Sequence, residues 1–189
     1  MEKSNIAGQA ARMFIWSIAY RIMCFIVSVS IIAIVSNKFG VILAQIFSLA
    51  IFLVLPYLRL YDIGFNDYNR INYGHIRRDE MKGLKIGCLV ALPYAVCGIL
   101  LLLSYFGAFT PNYQSVYRMI TSPYFSLNQM ILPPTLTIRE QSLFAVVISV
   151  LTVFTEPVVY ALGYRMGLAR ISFFEEMGIN IGKKKEKAK

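Results

Sequence analysis

Arg21 and Glu156 are ionisable side chains set well inside two long apolar stretches, and Asp67, His75 and Asp79 gather in a polar segment between two others. An arginine and a glutamate in apolar surroundings can pair with each other, relay a proton or line an ion path. Two carboxylates and an imidazole close in sequence can hold a divalent cation, and a metal at a membrane surface could bind phosphate-headed substrates. The spacing of Asp67, His75 and Asp79 matches no metal motif, however. Caps, turns and pairing with Arg70, Arg77 and Arg78 explain the same residues, with Asn66, Asn69, Asn72 and Gly74 as turn formers around them. The metal reading therefore ranks below the structural one.

Other chemistry is excluded more firmly. His75 is the only histidine, so the chain alone cannot build a multi-histidine metal centre. No Gly-x-Ser-x-Gly, His-Glu-x-x-His or Gly-x-x-x-x-Gly-Lys occurs. Cys24, Cys88 and Cys97 all fall in apolar stretches and read as packing residues, with no exposed pair for a disulfide. No cofactor is expected, and the chain is not expected to be an enzyme.

The elements that position these groups are four apolar stretches, at about 14–36, 39–60, 84–106 and 143–164. Each has the ~20 residues a helix needs to cross a hydrocarbon core of roughly 30 Å. They are apolar nearly all round, where a soluble bundle would keep a polar face on each helix. The expected fold is an all-α integral membrane protein: a single domain over 1–177, a bundle of four transmembrane helices with an interfacial inner loop and a partly structured outer loop. Residues 178–189, rich in lysine, form a disordered polybasic tail.

Charge placement orients the chain. The net charge is +9. If the N-terminus is cytoplasmic, Lys3 and Arg12, the basic residues between Arg59 and Lys85, and those from Arg165 onward all lie inside. Lys38, Arg118 and Arg139 are left outside. Positive charge gathers on the cytoplasmic side of membrane proteins, so both termini are expected there, with the protein multi-pass in the cell membrane, specifically a bacterial plasma membrane. No small-x-small cleavage site follows the first span, so it is expected to remain uncleaved. Basic residues that hug the membrane boundaries argue for lipid and against nucleic acid. Lys183, Lys184, Lys185 and Lys187 are the expected contacts to anionic headgroups, at about 1 kcal/mol each.

Helical spacing then sorts the residues within the spans. Ser17, Arg21, Cys24 and Ser28 share one face of the first span. Ala145, Ser149, Thr152, Glu156, Tyr160, Gly163 and Gly167 share one face of the fourth. Arg21 and Glu156 each lie about eight residues from the cytoplasmic end of their span, roughly 12 Å deep at 1.5 Å per residue. Similar depth on protein-facing stripes predicts an intramembrane Arg21–Glu156 ion pair. Gly83, Gly87, Ala91 and Ala95 form a small-residue ridge on the third span, a packing seam against another span or a second copy of the chain. Gly163 and Gly167 do the same on the fourth.

Two loops remain. The inner one, about 61–83, is expected to lie on the headgroups as short helical pieces broken at Gly64 and Gly74, with Asp79 capping the third span. The outer one, about 107–142, is expected to form an ordered cap lying on the outer leaflet, with one short helix near 114–121. Small size, packing ridges and missing catalytic motifs point to a non-catalytic subunit, assembly factor or regulator of a membrane complex, acting through a protein partner or as a homo-oligomer. A small oligomeric transporter or channel using Arg21 and Glu156 is the alternative.

Overall fold

The computed structural model describes residues 6–108 and 113–171, and no strand occurs among them. The order of elements is α1 (Ile6–Ile34), α2 (Lys38–Asn72), α3 (Lys82–Tyr105), α4 (Tyr113–Ile120), α5 (Phe125–Ile131), α6 (Leu143–Leu151) and α7 (Thr155–Ala169). Short 3₁₀ turns at Ser122–Tyr124, Ile138–Glu140 and Thr152–Phe154 punctuate the second half. Four helices are long and apolar enough to cross a membrane: α1, α2, α3 and the nearly continuous Leu143–Ala169. The expected tail 178–189, with its four headgroup lysines, lies outside the described residues.

α1 and α2 form an antiparallel hairpin. Asn37 ends the turn as the N-cap of α2, its side chain accepting from the Gly40 amide at 3.0 Å. α2 does not stop near Leu60 as expected. It runs 35 residues to Asn72, about 52 Å at 1.5 Å per residue, and so outreaches a 30 Å hydrocarbon core. Most of the expected inner loop is therefore helix. Gly64 lies inside that helix, while Gly74 does stop the chain, with φ +73° in the left-handed region. Asp79 sits in the turn before α3, accepting from the Met81 amide at 3.1 Å rather than standing at the helix cap, which is Met81.

α7 is wedged between α2 and α3, and small residues allow it. A Cβ on Gly64 would lie 2.3 Å from the Tyr164 carbonyl oxygen, and one on Gly167 would lie 2.2 Å from that of Tyr61. On the other side, a Cβ on Gly87 would meet the Pro157 Cα at 2.6 Å, and one on Gly83 the Tyr164 Cβ at 2.4 Å. Ala91 is buried, and Ala95 packs with it, Tyr94 and Val153. Gly83 and Gly87 thus pack on α7, Ala91 and Ala95 beside the turn before it, and Gly163 and Gly167 of α7 on α2, all inside one chain. Leu60, Ile86, Val90, Tyr160 and Tyr164 fill the core at this end.

The outer loop is the largest departure from expectation. The short helix expected near 114–121 is present as α4, a second helix, α5, follows it, and much of the segment is buried against the other helices. It folds back into the bundle as a helical hairpin whose tip, Ile120–Tyr124, packs on α1 and α2. Tyr117, Leu132, Ile138, Val146 and Leu101 form a fully buried cluster around it. The polar backbone of such a turn is tolerated at depth only when protein surrounds it.

Candidate functional site

The polar centre is built on the α1 stripe. Ser17, Arg21, Cys24 and Ser28 are all buried, as period-3.6 spacing requires of one inward face. Across from them, Glu156 is 1% exposed and sits in the first turn of α7. The Arg21 Nη2 donates to Glu156 Oε2 at 2.7 Å. Ser17 donates to the other carboxylate oxygen at 2.6 Å, and the Tyr160 hydroxyl donates to it at 3.2 Å. Both carboxylate oxygens are thereby paired.

Arg21 is as fully engaged. Its Nε donates to Ser17 Oγ at 3.4 Å, and its Nη1 donates to the Ile120 carbonyl at the hairpin tip at 3.2 Å. Its guanidinium carbon lies 3.5 Å from the centre of the Tyr94 ring of α3 and 5.2 Å from that of Phe52 of α2, close enough for cation–π attraction. One side chain therefore ties together α1, α2, α3, α7 and the hairpin. The tip is fastened a second time by Ser122 Oγ, which donates to the Arg21 carbonyl at 2.6 Å. A cleft of about 370 Å³, lined by Ile18, Ile22, Phe25, Tyr94 and Met119, opens beside the arginine.

A second buried pair escaped the sequence reading. Lys82, in the first turn of α3, places its Nζ 2.5 Å from Asp67 Oδ2, and the Tyr164 hydroxyl donates to the same oxygen at 2.9 Å. Both charged residues are 3% exposed or less. The weak metal candidates Asp67, His75 and Asp79 are drawn apart. Asp67 faces the core because α2 continues as helix past it, His75 is exposed beyond the end of α2, and Asp79 pairs with Lys85 at 2.7 Å. No group of three or more potential metal ligands occurs among the described residues.

The signal that could have found the second pair was available. Pro56, Leu60, Gly64 and Asp67 lie at helical spacing and are all buried. Reading the α2 period past Tyr61 would have turned Asp67 inward, toward the small ridge of the fourth span.

Side-chain amides and hydroxyls seat the hairpin. Gln45 of α2 donates to the Pro123 carbonyl at 3.0 Å and accepts from the Leu127 amide at 2.8 Å. Asn128 links Thr121 to Ser149, at 3.0 and 2.8 Å. Tyr117 donates to the Ser149 carbonyl at 2.9 Å, and burial raises its phenol pKa to about 12. What this arrangement does chemically is neutralise and immobilise: its charges are held by one another and by oriented hydroxyls. No protein-family model, no curated protein and no solved structure matches this chain, so its function is argued from this geometry alone.

Proposed function

We propose that the chain is a polytopic integral membrane protein, with both termini on the cytoplasmic side of the cell membrane, and that it serves as a non-catalytic subunit, assembly factor or regulator of a membrane complex. One observation carries this reading. Arg21, Glu156, Lys82 and Asp67, the buried charges within the four apolar helices, are neutralised in pairs by their own chain. Ionisable residues inside membrane spans pair with one another or mark ion and proton pathways, and here both pairs are further bonded by hydroxyls of their own chain, which favours a structural role. The orientation rests on the basic residues at one end of the bundle, including Arg12, Arg59, Arg77, Arg78 and Lys85. Outward-facing apolar side chains along the helices, such as Ile15, Ile26, Ile46 and Leu92, suit lipid or a partner's helix.

The alternative, a small oligomeric transporter using Arg21 and Glu156, has one favourable feature. Transport proteins place broken helices and re-entrant segments at their binding sites, and here the 3₁₀ turn at Thr152–Phe154 lies just before Glu156, near the hairpin tip. Purification of the full chain in mild detergent, followed by native mass measurement, separates the two. A different protein retained at fixed stoichiometry supports the first reading. A homo-oligomer that carries solute flux in vesicles, lost on Glu156→Gln, overturns it. An impermeant lysine reagent that labels the final lysines of intact cells would overturn the orientation.

A further inference from the structure

Arg118 is a buried cation with no counter-charge. It lies on α4, 7% exposed. Its Nη2 donates to the Leu132 carbonyl. Its Nε is buried without any hydrogen-bond partner. No carboxylate lies within ion-pair distance of it among the described residues, in contrast to Arg21 and Lys82. Burial alone accounts for the downward push on its pKa. Isolated buried charge is costly and is ordinarily compensated.

The chain has little with which to compensate it. Between Glu80 and Glu156 the sequence contains one acid, Glu140. Its Oε2 is occupied by the Thr137 amide at 2.8 Å, closing a capping box on the Ile138–Glu140 turn. Residues 109–112, next to α4 in sequence, are Phe, Thr, Pro and Asn, with no acid. Lys38 and Arg139, on the same side of the spans, only add positive charge.

Beside Arg118 is a small pocket of about 140 Å³, lined by Gln114, Ser115, Arg118, Thr135 and Thr137 together with Pro134 and Leu136. Gln114 is held in place by its bond to the Leu132 carbonyl at 3.0 Å. A guanidinium fork with hydroxyl donors around it is the arrangement that recognises a tetrahedral oxyanion. Ser115 and Thr135, which carry hydroxyls, line the same space as the arginine. We propose that this pocket binds one oxyanion of the phosphate class through Arg118, Ser115 and Thr135, either as a free solute or as the phosphate of a lipid headgroup. The anion supplies the charge the chain lacks and locks α4 to the 132–137 segment. The site is separate from the Arg21–Glu156 centre and does not depend on what complex the protein serves.

The test uses the full chain in mild detergent, with two probes. Inorganic phosphate is titrated by calorimetry, and native mass spectrometry reads retained phospholipid. Saturable phosphate binding that Arg118→Gln weakens by about 10- to 100-fold, with Arg139→Gln unchanged, supports the proposal with a free solute as ligand. No phosphate binding, but one phospholipid retained by the wild type and lost in Arg118→Gln, supports it with a headgroup as ligand. Neither ligand on the wild type, or equal binding by Arg118→Gln, overturns it. Thr135→Glu guards against a variant that simply fails to fold. A carboxylate placed in the pocket should raise the thermal midpoint of the ligand-free protein and abolish binding of either probe. A midpoint at or below the wild type's, with binding retained, overturns the assignment.

Discussion

Replacing Glu156 by Gln removes one charge from the centre of the bundle and little else. The amide has nearly the same shape and can still accept from Ser17 and Tyr160. What it cannot do is neutralise Arg21, which is 7% exposed and 2.7 Å away. Breaking a buried pair by removing one partner costs about 3–5 kcal/mol, because the other charge is left uncompensated. Here the Tyr94 face and the Ile120 carbonyl still hold the guanidinium, and cation–π contact offsets about 0.5–2 kcal/mol. The expected loss is therefore near the lower bound, about 3 kcal/mol. For a chain of this size that corresponds to a midpoint lowered by roughly 6–12 °C. The assay is thermal unfolding in mild detergent, read both by circular dichroism and by maleimide labelling of Cys24 in a background with Cys88 and Cys97 replaced by Ser. Cys24 is fully buried one turn from Arg21, so its labelling reports opening of this part of the bundle. Arg21→Met combined with Glu156→Leu removes both charges and should recover most of the loss, since apolar replacements of buried pairs are often neutral or better. A Glu156→Gln protein that melts within about 1 °C of the wild type, with Cys24 equally protected, would refute the claim that the pair is a buried, charged keystone.

The second pair should behave alike: Asp67→Asn, which leaves Lys82 buried beside a neutral amide, is expected to cost about 3–5 kcal/mol, while His75→Ala at its exposed site changes stability by less than about 0.5 kcal/mol, both measured by the same melts. Gly167→Ala drives a methyl to 2.2 Å from the Tyr61 carbonyl, and backbone on both sides prevents easy relief, so a loss of about 1–3 kcal/mol is expected; unchanged melting would mean α2 and α7 are not in contact there. Tyr117 titrates near 10 when unfolded and near 12 in the fold. A raised folded pKa gives stability that is complete below pH 10 and is lost as pH climbs toward 12, by about 2–3 kcal/mol for such a shift. Tyr117→Phe should flatten that alkaline fall in a pH series of melts, and an identical slope would contradict the assignment.

The legible part of the fold was the part that repeats. Four apolar runs gave four long helices because a run of about 20 apolar residues has few other stable outcomes. The stripe at 17, 21, 24 and 28 turned inward whole; of the stripe from 145 to 167, Ser149, Glu156, Tyr160, Gly163 and Gly167 are buried while Ala145 and Thr152 are only half-buried, and Arg21 and Glu156 stand in contact. What escaped was set by tertiary contact rather than by period. α2 continues through Asp62, Asn66 and Asn69 against local preference because Gly64 and Asp67 have α7 and Lys82 to pack on. Asp67, expected in a loop, is consequently a core charge. In the segment expected as a cap, Ser122, Pro123, Ser126 and Asn128 are buried, and the contacts that place them come from afar: Ser122 on the Arg21 carbonyl, the Pro123 carbonyl on Gln45, and Asn128 on Ser149.

The break in the fourth span explains why the hairpin is inside the bundle at all. At Thr152–Phe154 the helix tightens to a 3₁₀ turn, and Pro157 brings no amide of its own to the ladder. Carbonyls loosened at such a place need donors that hydrocarbon cannot provide. Thr152 and Thr155 supply two, donating back to the Ser149 and Thr152 carbonyls at 2.7 and 2.8 Å. The hairpin adds two contacts here: the Tyr117 hydroxyl also donates to the Ser149 carbonyl, and the Tyr124 hydroxyl lies 2.5 Å from Thr155 Oγ1. The same hairpin tip presents the Ile120 carbonyl to Arg21. The broken helix, the hairpin and the ion pair are thus joined by direct contacts. Without the hairpin, the Ser149 carbonyl and Thr155 would each lose a hydroxyl partner beside Glu156, and without Arg21 the hairpin tip would lose the guanidinium that holds the Ile120 carbonyl.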